Sequence, residues 1–340
     1  MNDSNIAIDV SKCLACGNCV DRCIMYNLRL VLPPCRQASP LGINYQGVLR
    51  LAAQGKMAEA AKELRRCTPF GGLLSAWGDE AASRACSRGH AGGSLNFAGI
   101  LEFLVRTQED IVYGAEAKLP RSCKKAVVAG SGAASLQAAY VLRIGGHEVT
   151  VLTTSPLAEL DVPESILEKT LDMLKSMGIA FADIPLNIEG LCREFDAVVL
   201  TADAAEELSA DEYGQVRDNL FAVVTDGKTP LQSMVAAARV AHAVRNLLEG
   251  FSIDYESNER AARGLERFHG LTEEQENAPE AAPVPCSGSG YTEEELRSEA
   301  GRCLGCGRPI ERNMTCWYCL PCEVVCPTQA LHVRIPYLIR

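Results

Sequence analysis

Cysteine spacing constrains this chain more than any other feature of it. Cys13-Leu-Ala-Cys16-Gly-Asn-Cys19-Val-Asp-Arg-Cys23 reads C-x2-C-x2-C-x3-C, and Cys316-Trp-Tyr-Cys319-Leu-Pro-Cys322-Glu-Val-Val-Cys326-Pro327 repeats it near the other end, preceded by Cys303-Leu-Gly-Cys306. Two residues between thiolates let a tight loop wrap the corners of an iron–sulfur cubane, and Gly17 relieves crowding where backbone amides turn toward the sulfurs. The chain holds 16 cysteines and begins without the basic start, apolar run and small-residue cleavage site of a secretory signal. It is therefore expected to stay in the reducing cytoplasm, where disulfides are rare and metal is the natural use for so many thiols.

The spacing of both runs is that of bacterial ferredoxins, and Pro327 completes the signature in the second. In two-cluster ferredoxins the fourth cysteine serves the other cluster. One expected arrangement therefore joins Cys326 to Cys303 and Cys306 while Cys316, Cys319 and Cys322 hold a cube of their own. Six thiolates cannot fill eight positions. Either one cluster takes four of the six, or two share them with ligands borrowed from elsewhere in the chain. The competing reading is a structural zinc knuckle built from Cys303, Cys306, Cys316 and Cys319. Zinc needs neither the further cysteines at x2 and x3 nor the proline, so [4Fe-4S] clusters are the expected cofactors. Cys67, Cys123, Cys192 and Cys286 read as small hydrophobes rather than ligands.

With 43 acidic against 33 basic residues the net charge is −10, which opposes nonspecific binding to nucleic acid or an anionic membrane face. No stretch reaches the about 18 uninterrupted apolar residues of a membrane span, since even the segment after Met234 carries Arg239, His242 and Arg245. Direct membrane insertion is not expected.

In the middle of the chain, residues 124–128 read as a buried strand. Gly130-Ser131-Gly132-Ala133-Ala134-Ser135 opens a helix to about Arg143, and Val149–Leu152 is the next strand. This β-turn-α-β unit suits a dinucleotide pyrophosphate at a helix N-terminus. Two departures weaken it: Ser135 takes the third small position, and Thr153-Thr154 stand where an acidic residue would meet the ribose. A scaffold without nucleotide thus competes with a bound flavin. Phe195–Leu200 and Leu220–Thr225, ending at Asp226-Gly227, read as further strands, followed by a helix from about Pro230 to Leu248. No second glycine fingerprint leaves room for a nicotinamide domain. Residues 272–290 form a mobile or surface-wrapped linker, and Thr292-Glu-Glu-Glu caps a helix leading to Cys303.

The order of these features resembles the small subunit of glutamate synthase and its iron–sulfur flavoprotein relatives, including the N-terminal half of dihydropyrimidine dehydrogenase, over about residues 11–250. Those proteins pair a helical two-cluster domain with a flavin domain that a nicotinamide domain interrupts. Cys35-Arg-Gln-Ala-Ser39-Pro and Leu51–Ala60 are similar to the family's cysteine-proline segment and following helix, and Cys86-Ser-Arg-Gly to the last ligand of its second cysteine group. The resemblance implies that Cys35 and Cys86 can complete a cluster with Cys13 and Cys16, although the run Cys13–Cys23 alone is the simpler assignment. Ser39 stands where the family has cysteine, which implies that one family cluster is lost. Gly130, Gly132 and Asp226 match the family's flavin half-site, with Val223-Val224-Thr225 replacing a glycine beside the aspartate.

The expected fold is a multidomain α/β chain. It comprises a helical Fe–S domain (1–118), a truncated Rossmann-like domain of FAD type (119–252), a helix and linker (253–290) and a ferredoxin-like 4Fe-4S module (291–340), the last physically separable. Twelve cysteines are candidate ligands: Cys13, Cys16, Cys19, Cys23, Cys35, Cys86, Cys303, Cys306, Cys316, Cys319, Cys322 and Cys326. They would hold two or three clusters, four at most, with FAD left open at Gly130, Gly132 and Asp226. The histidines, His90, His147, His242, His269 and His332, are scattered and no catalytic set emerges; His332 lies nearest a cysteine run. Trp317 and Tyr318 are candidates to shield a cluster. The expected function is a one-electron relay in a cytoplasmic redox complex of anaerobic metabolism. Its partner would be a flavoprotein, a hydrogenase, a formate or aldehyde oxidoreductase, or a heterodisulfide-reductase-type protein. An FAD-containing oxidoreductase and a structural docking platform are the alternatives.

Overall fold

The computed structural model describes residues 5–114, 122–153, 160–183, 185–201, 204, 208–255, 264–286, 288, 290–312 and 316–335. Thr154 and parts of the 272–290 linker, at 287 and 289, lie outside the described residues. The strands are β1 (Ile6–Ile8), β2 (Leu28–Val31), β3 (Lys125–Ala129), β4 (Glu148–Leu152), β5 (Ala180–Ala182), β6 (Ala197–Thr201), β7 (Gln215–Arg217), β8 (Leu220–Val223), β9 (Leu265–Glu266), β10 (Arg308–Glu311) and β11 (Leu331–Val333). The chain divides into two compact units. One gathers Met1–Gly71, Gly78–Val112 and Ser257–Arg340; the other comprises Gly72–Trp77 and Tyr113–Glu256.

The second unit carries a sheet of order β5-β4-β3-β6-β8-β7, parallel except for β7, which runs antiparallel to β8. β6 and β8 are buried along their whole length and β3 at every position after Lys125, as continuous apolar strands covered on both faces should be. Helices Ala133–Ile144 and Pro230–Leu248 pack against each other. The latter opens with a capping box in which Thr229 and Gln232 satisfy each other's backbone N–H, and Pro230 supplies a preset first turn. The expected parallel α/β core is present.

The first unit explains why the C-terminal cysteine module is not a separate body. β1 pairs antiparallel with β11 (Ile6↔Val333, Ala7↔His332, Ile8↔Leu331), and β2 pairs antiparallel with β10 (Leu30↔Pro309, Arg29↔Ile310, Leu28↔Glu311). The two pairings are images of one another: shifting the N-terminal positions 303 places along the chain gives their C-terminal counterparts, as it carries Cys13 onto Cys316. β9 adds a short parallel strand to β2, so Pro309, which has no N–H to donate, sits on an edge strand. Ile6, Ala15, Val20, Leu28, Leu30 and Leu331 form one buried cluster with Cys19 and Cys322. Each end of the chain thus buries the other's apolar face. Helix Glu293–Gly301 also packs on helix Tyr45–Ala53.

The linker is surface-wrapped where it is described. Arg88 donates to Pro279 O (2.8 Å) and Arg302 Nη2 to Ala281 O (3.0 Å). Arg302 also holds both oxygens of the fully buried Glu299 (2.7 and 2.8 Å), which in turn accept from the Asn96 and Val284 amides. A buried ion pair whose remaining lone pairs are satisfied avoids the large cost of an isolated buried charge, and this one fixes the backbone immediately before Cys303.

Candidate metal centres

Each cysteine loop has the same backbone signature. In Cys13–Cys16 the third residue, Ala15, has φ 51°, and Gly17 at φ 90° caps a short helix, Asn18–Asp21. In Cys316–Cys319 the corresponding Tyr318 has φ 56°, and Leu320 at φ 69° caps Pro321–Val324. In Cys303–Cys306 the third residue is Gly305, at φ 66°. Left-handed backbone at alanine, tyrosine and leucine costs about 1 kcal/mol each, and it persists only where the surroundings require it. The turn reverses the chain between neighbouring thiols so that they face one space, and its free amides are available to sulfur. Ala15 N–H donates to Cys13 Sγ (3.4 Å), Asn27 N–H to Cys23 Sγ (3.3 Å) and Ala330 N–H to Cys326 Sγ (3.1 Å).

Three cavities each collect four cysteines. The first is lined by Cys13, Cys16 and Cys19 together with Cys326. The second is lined by Cys316, Cys319 and Cys322 together with Cys23. The third is lined by Cys35, Cys86, Cys303 and Cys306. All twelve candidate ligands are used once. None of Cys67, Cys123, Cys192 and Cys286 lines these cavities; Cys123 and Cys286 are exposed, and Cys192 packs on the edge of the sheet core.

This grouping differs from three expectations. Cys326 sits with the N-terminal trio rather than with Cys303 and Cys306. Cys23 lines the second cavity with the C-terminal trio, apart from the rest of the run Cys13–Cys23. Cys35 and Cys86 meet Cys303 and Cys306 rather than Cys13 and Cys16. The zinc knuckle weighed above has its four cysteines divided between two cavities. Among the described residues no group of three or more His, Cys, Asp or Glu is arranged to hold a single metal ion.

Burial dominates the thiol chemistry. It pushes Cys19 up to about 12 and Cys303 and Cys322 up to about 11, and it raises Cys35 well above the ordinary thiol range, with neighbouring thiolates adding to each. At Cys326 burial also acts upward, but hydrogen bonds from the Thr328, Ala330 and Leu331 backbone outweigh it and the net shift is downward. Four thiols in an apolar cavity, with amides aimed at sulfur, suit a four-thiolate cubane, which would take the protons' place and share the charge.

Other candidate residues fall elsewhere. Trp317 lines the second cavity yet is 69% exposed, and Cys319 is exposed beside it. His332 is the exposed residue of β11, with Nδ1 3.4 Å from Glu323 Oε1, and lines none of the three cavities. Ser39, standing where the resemblance expects cysteine, is buried and accepts from Ile43 N–H (3.4 Å).

In the sheet unit, Gly130 (φ 141°) leaves the end of β3 so close to β6 that a Cβ there would meet Thr201 Oγ1 and lie 2.8 Å from Thr201 O. Packing of the protein on itself therefore explains Gly130. Around Gly132, which caps helix Ala133–Ile144, a Cβ would meet nothing within 4 Å. Ser135 donates its hydroxyl to Gly132 O (2.7 Å), closing the turn internally. Thr153 N–H bonds Ala182 O (3.2 Å) on the neighbouring strand, and Asp226 is exposed beyond β8.

No family model matches the chain. It is 22% identical over 206 residues to the NADP(+)-dependent formate dehydrogenase subunit beta of Moorella thermoacetica, a match covering 50% of this chain and 29% of that protein. The chain spans less than a third of the length of this curated relative. No helix among the described residues is long and apolar enough to cross a membrane.

Proposed function

We propose that this chain is an electron-transfer subunit of a redox complex and holds three [4Fe-4S] clusters. The ligand sets would be Cys13, Cys16, Cys19 and Cys326; Cys23, Cys316, Cys319 and Cys322; and Cys35, Cys86, Cys303 and Cys306. The observation that carries this reading is the crosswise lining of the first two cavities, each taking three cysteines from one run and the fourth from the other, the rule of two-cluster ferredoxins. Likeness to a formate dehydrogenase beta subunit supports a redox-complex setting.

When bound, a [4Fe-4S] cluster exchanges one electron without rearranging bonds. The chain's own residues do the rest. Apolar walls such as Leu14, Ala15 and Leu331 keep water from the first cavity, and backbone amides bond the cysteine sulfurs, which stabilises the reduced charge. The exposed Cys319 and Trp317 make the second cavity the natural point of exchange with a partner protein. A formate-oxidising or flavin-containing subunit in the cytoplasm fits that role.

Iron and acid-labile sulfide assayed per chain in anaerobically purified protein test this reading. Near twelve of each is expected; eight or four would remove one or two of the assigned sites, respectively. Flavin released from the same sample decides the alternative, an FAD-bearing subunit, for which the open space at Gly132 is the supporting observation. Little or no flavin is expected, because the ribose acid is absent.

A further inference from the structure

A single guanidinium lies between the segments that build the first and third cavities. Helix Tyr45–Ala53 presents Gln46 and Arg50 one turn apart. Gln46 is buried; its Nε2 donates to Gly307 O (2.8 Å) and Cys13 O (3.4 Å), and its Oε1 accepts from Gly307 N–H (2.7 Å). That amide ties the residue after Cys306 to the backbone of Cys13.

Arg50 makes the charged counterpart of the same bridge. Its Nη1 donates to Ser11 O (2.6 Å), two residues ahead of Cys13. On the other side it fills the space beside Gly305, between Cys303 and Cys306: a Cβ there would meet Nη2 and lie 3.1 Å from Cζ and 3.5 Å from Nε. Arg50 Nε is buried without a hydrogen-bond partner. Among the described residues Arg50 makes no hydrogen bond to the Cys316–Cys322 loop.

We propose that Arg50 is a positioning residue that sets the reduction potentials of the first and third clusters together, leaving the second to its own surroundings. This rests on the three-cluster reading above. An added electron raises the negative charge of a cubane, and a fixed cation nearby stabilises the reduced form, most where little water screens it. One charge near two sites shifts both potentials in the same direction.

The test is an EPR-monitored redox titration of the full chain as wild type, Arg50→Gln and Arg50→Lys, with iron assayed in each. Cys35→Ser identifies the third-site signal and Cys319→Ser the second-site signal by their loss. Arg50→Gln should move the first and third midpoints to more negative potentials and leave the second in place, and Arg50→Lys should restore most of the shift. Fully loaded Arg50→Gln with all three midpoints unmoved, or all moved equally, would overturn the proposal. So would an Arg50→Gln protein that fails to load the third site while Arg50→Lys loads it, since the residue would then build the site rather than tune it. Wild-type protein lacking three signals would instead sink the cluster reading from which the inference departs.

Discussion

At the residue scale, burial determines what each cysteine does before any cluster is present. Cys19, Cys303 and Cys322 are held as neutral thiols up to pH 11 or 12 in the folded chain, whereas unfolded thiols ionise near their ordinary value of 9.0. Between those limits the folded state binds more protons than the unfolded one, so stability falls as pH rises. Cluster-free protein should therefore melt at progressively lower temperature from about pH 9 upward, and calorimetry across pH 7–11 checks this; a flat profile would mean that the thiols are not buried in that form. Gly130 offers a second test. Gly130→Ala brings a Cβ against Thr201 in a left-handed backbone, which should cost about 1–3 kcal/mol in denaturant unfolding of the sheet unit.

At the scale of elements, the strands of the first unit are only three or four residues long, yet they decide where the cysteines go. β1 and β11 exist because they pair with each other, and Leu331 is buried in the cluster that also holds Cys19 and Cys322. Leu331→Ala should cost about 2–5 kcal/mol and lower iron retention in both the first and second sites, measured by unfolding and by iron assay. Loss confined to one site would show that the two halves do not share a core. The same elements explain what could be read from the chain and what could not. Cysteine spacing, the β3-turn-helix-β4 unit, the Thr292 cap and the wrapped linker are local patterns, and local physics suffices for them. The crosswise partition is not local: Cys23 and Cys316, or Cys35 and Cys303, are separated by most of the chain. Strands this short carry no usable period. The 303-place correspondence between the two cysteine runs was the available signal, since a repeated half whose fourth cysteine lacks a local partner calls for its twin.

At the scale of the whole chain, two cysteine runs related by a 303-place shift lie near its two ends, and the parallel-sheet unit lies between them in sequence. On the proposed ligand sets each run supplies a ligand to the other's site, so neither should load a complete cluster alone. It also leaves the sheet unit free of any ligand cysteine, consistent with a scaffold role for a β-turn-α-β whose glycines are explained at Gly130 by packing against Thr201. The most direct test compares the EPR spectra of reduced Cys13→Ser, Cys23→Ser and Cys319→Ser proteins. Crosswise sharing predicts that Cys23→Ser and Cys319→Ser perturb the same signal and Cys13→Ser a different one. If Cys23→Ser instead removes the signal lost in Cys13→Ser, the N-terminal run closes its own cluster and the shared architecture is wrong.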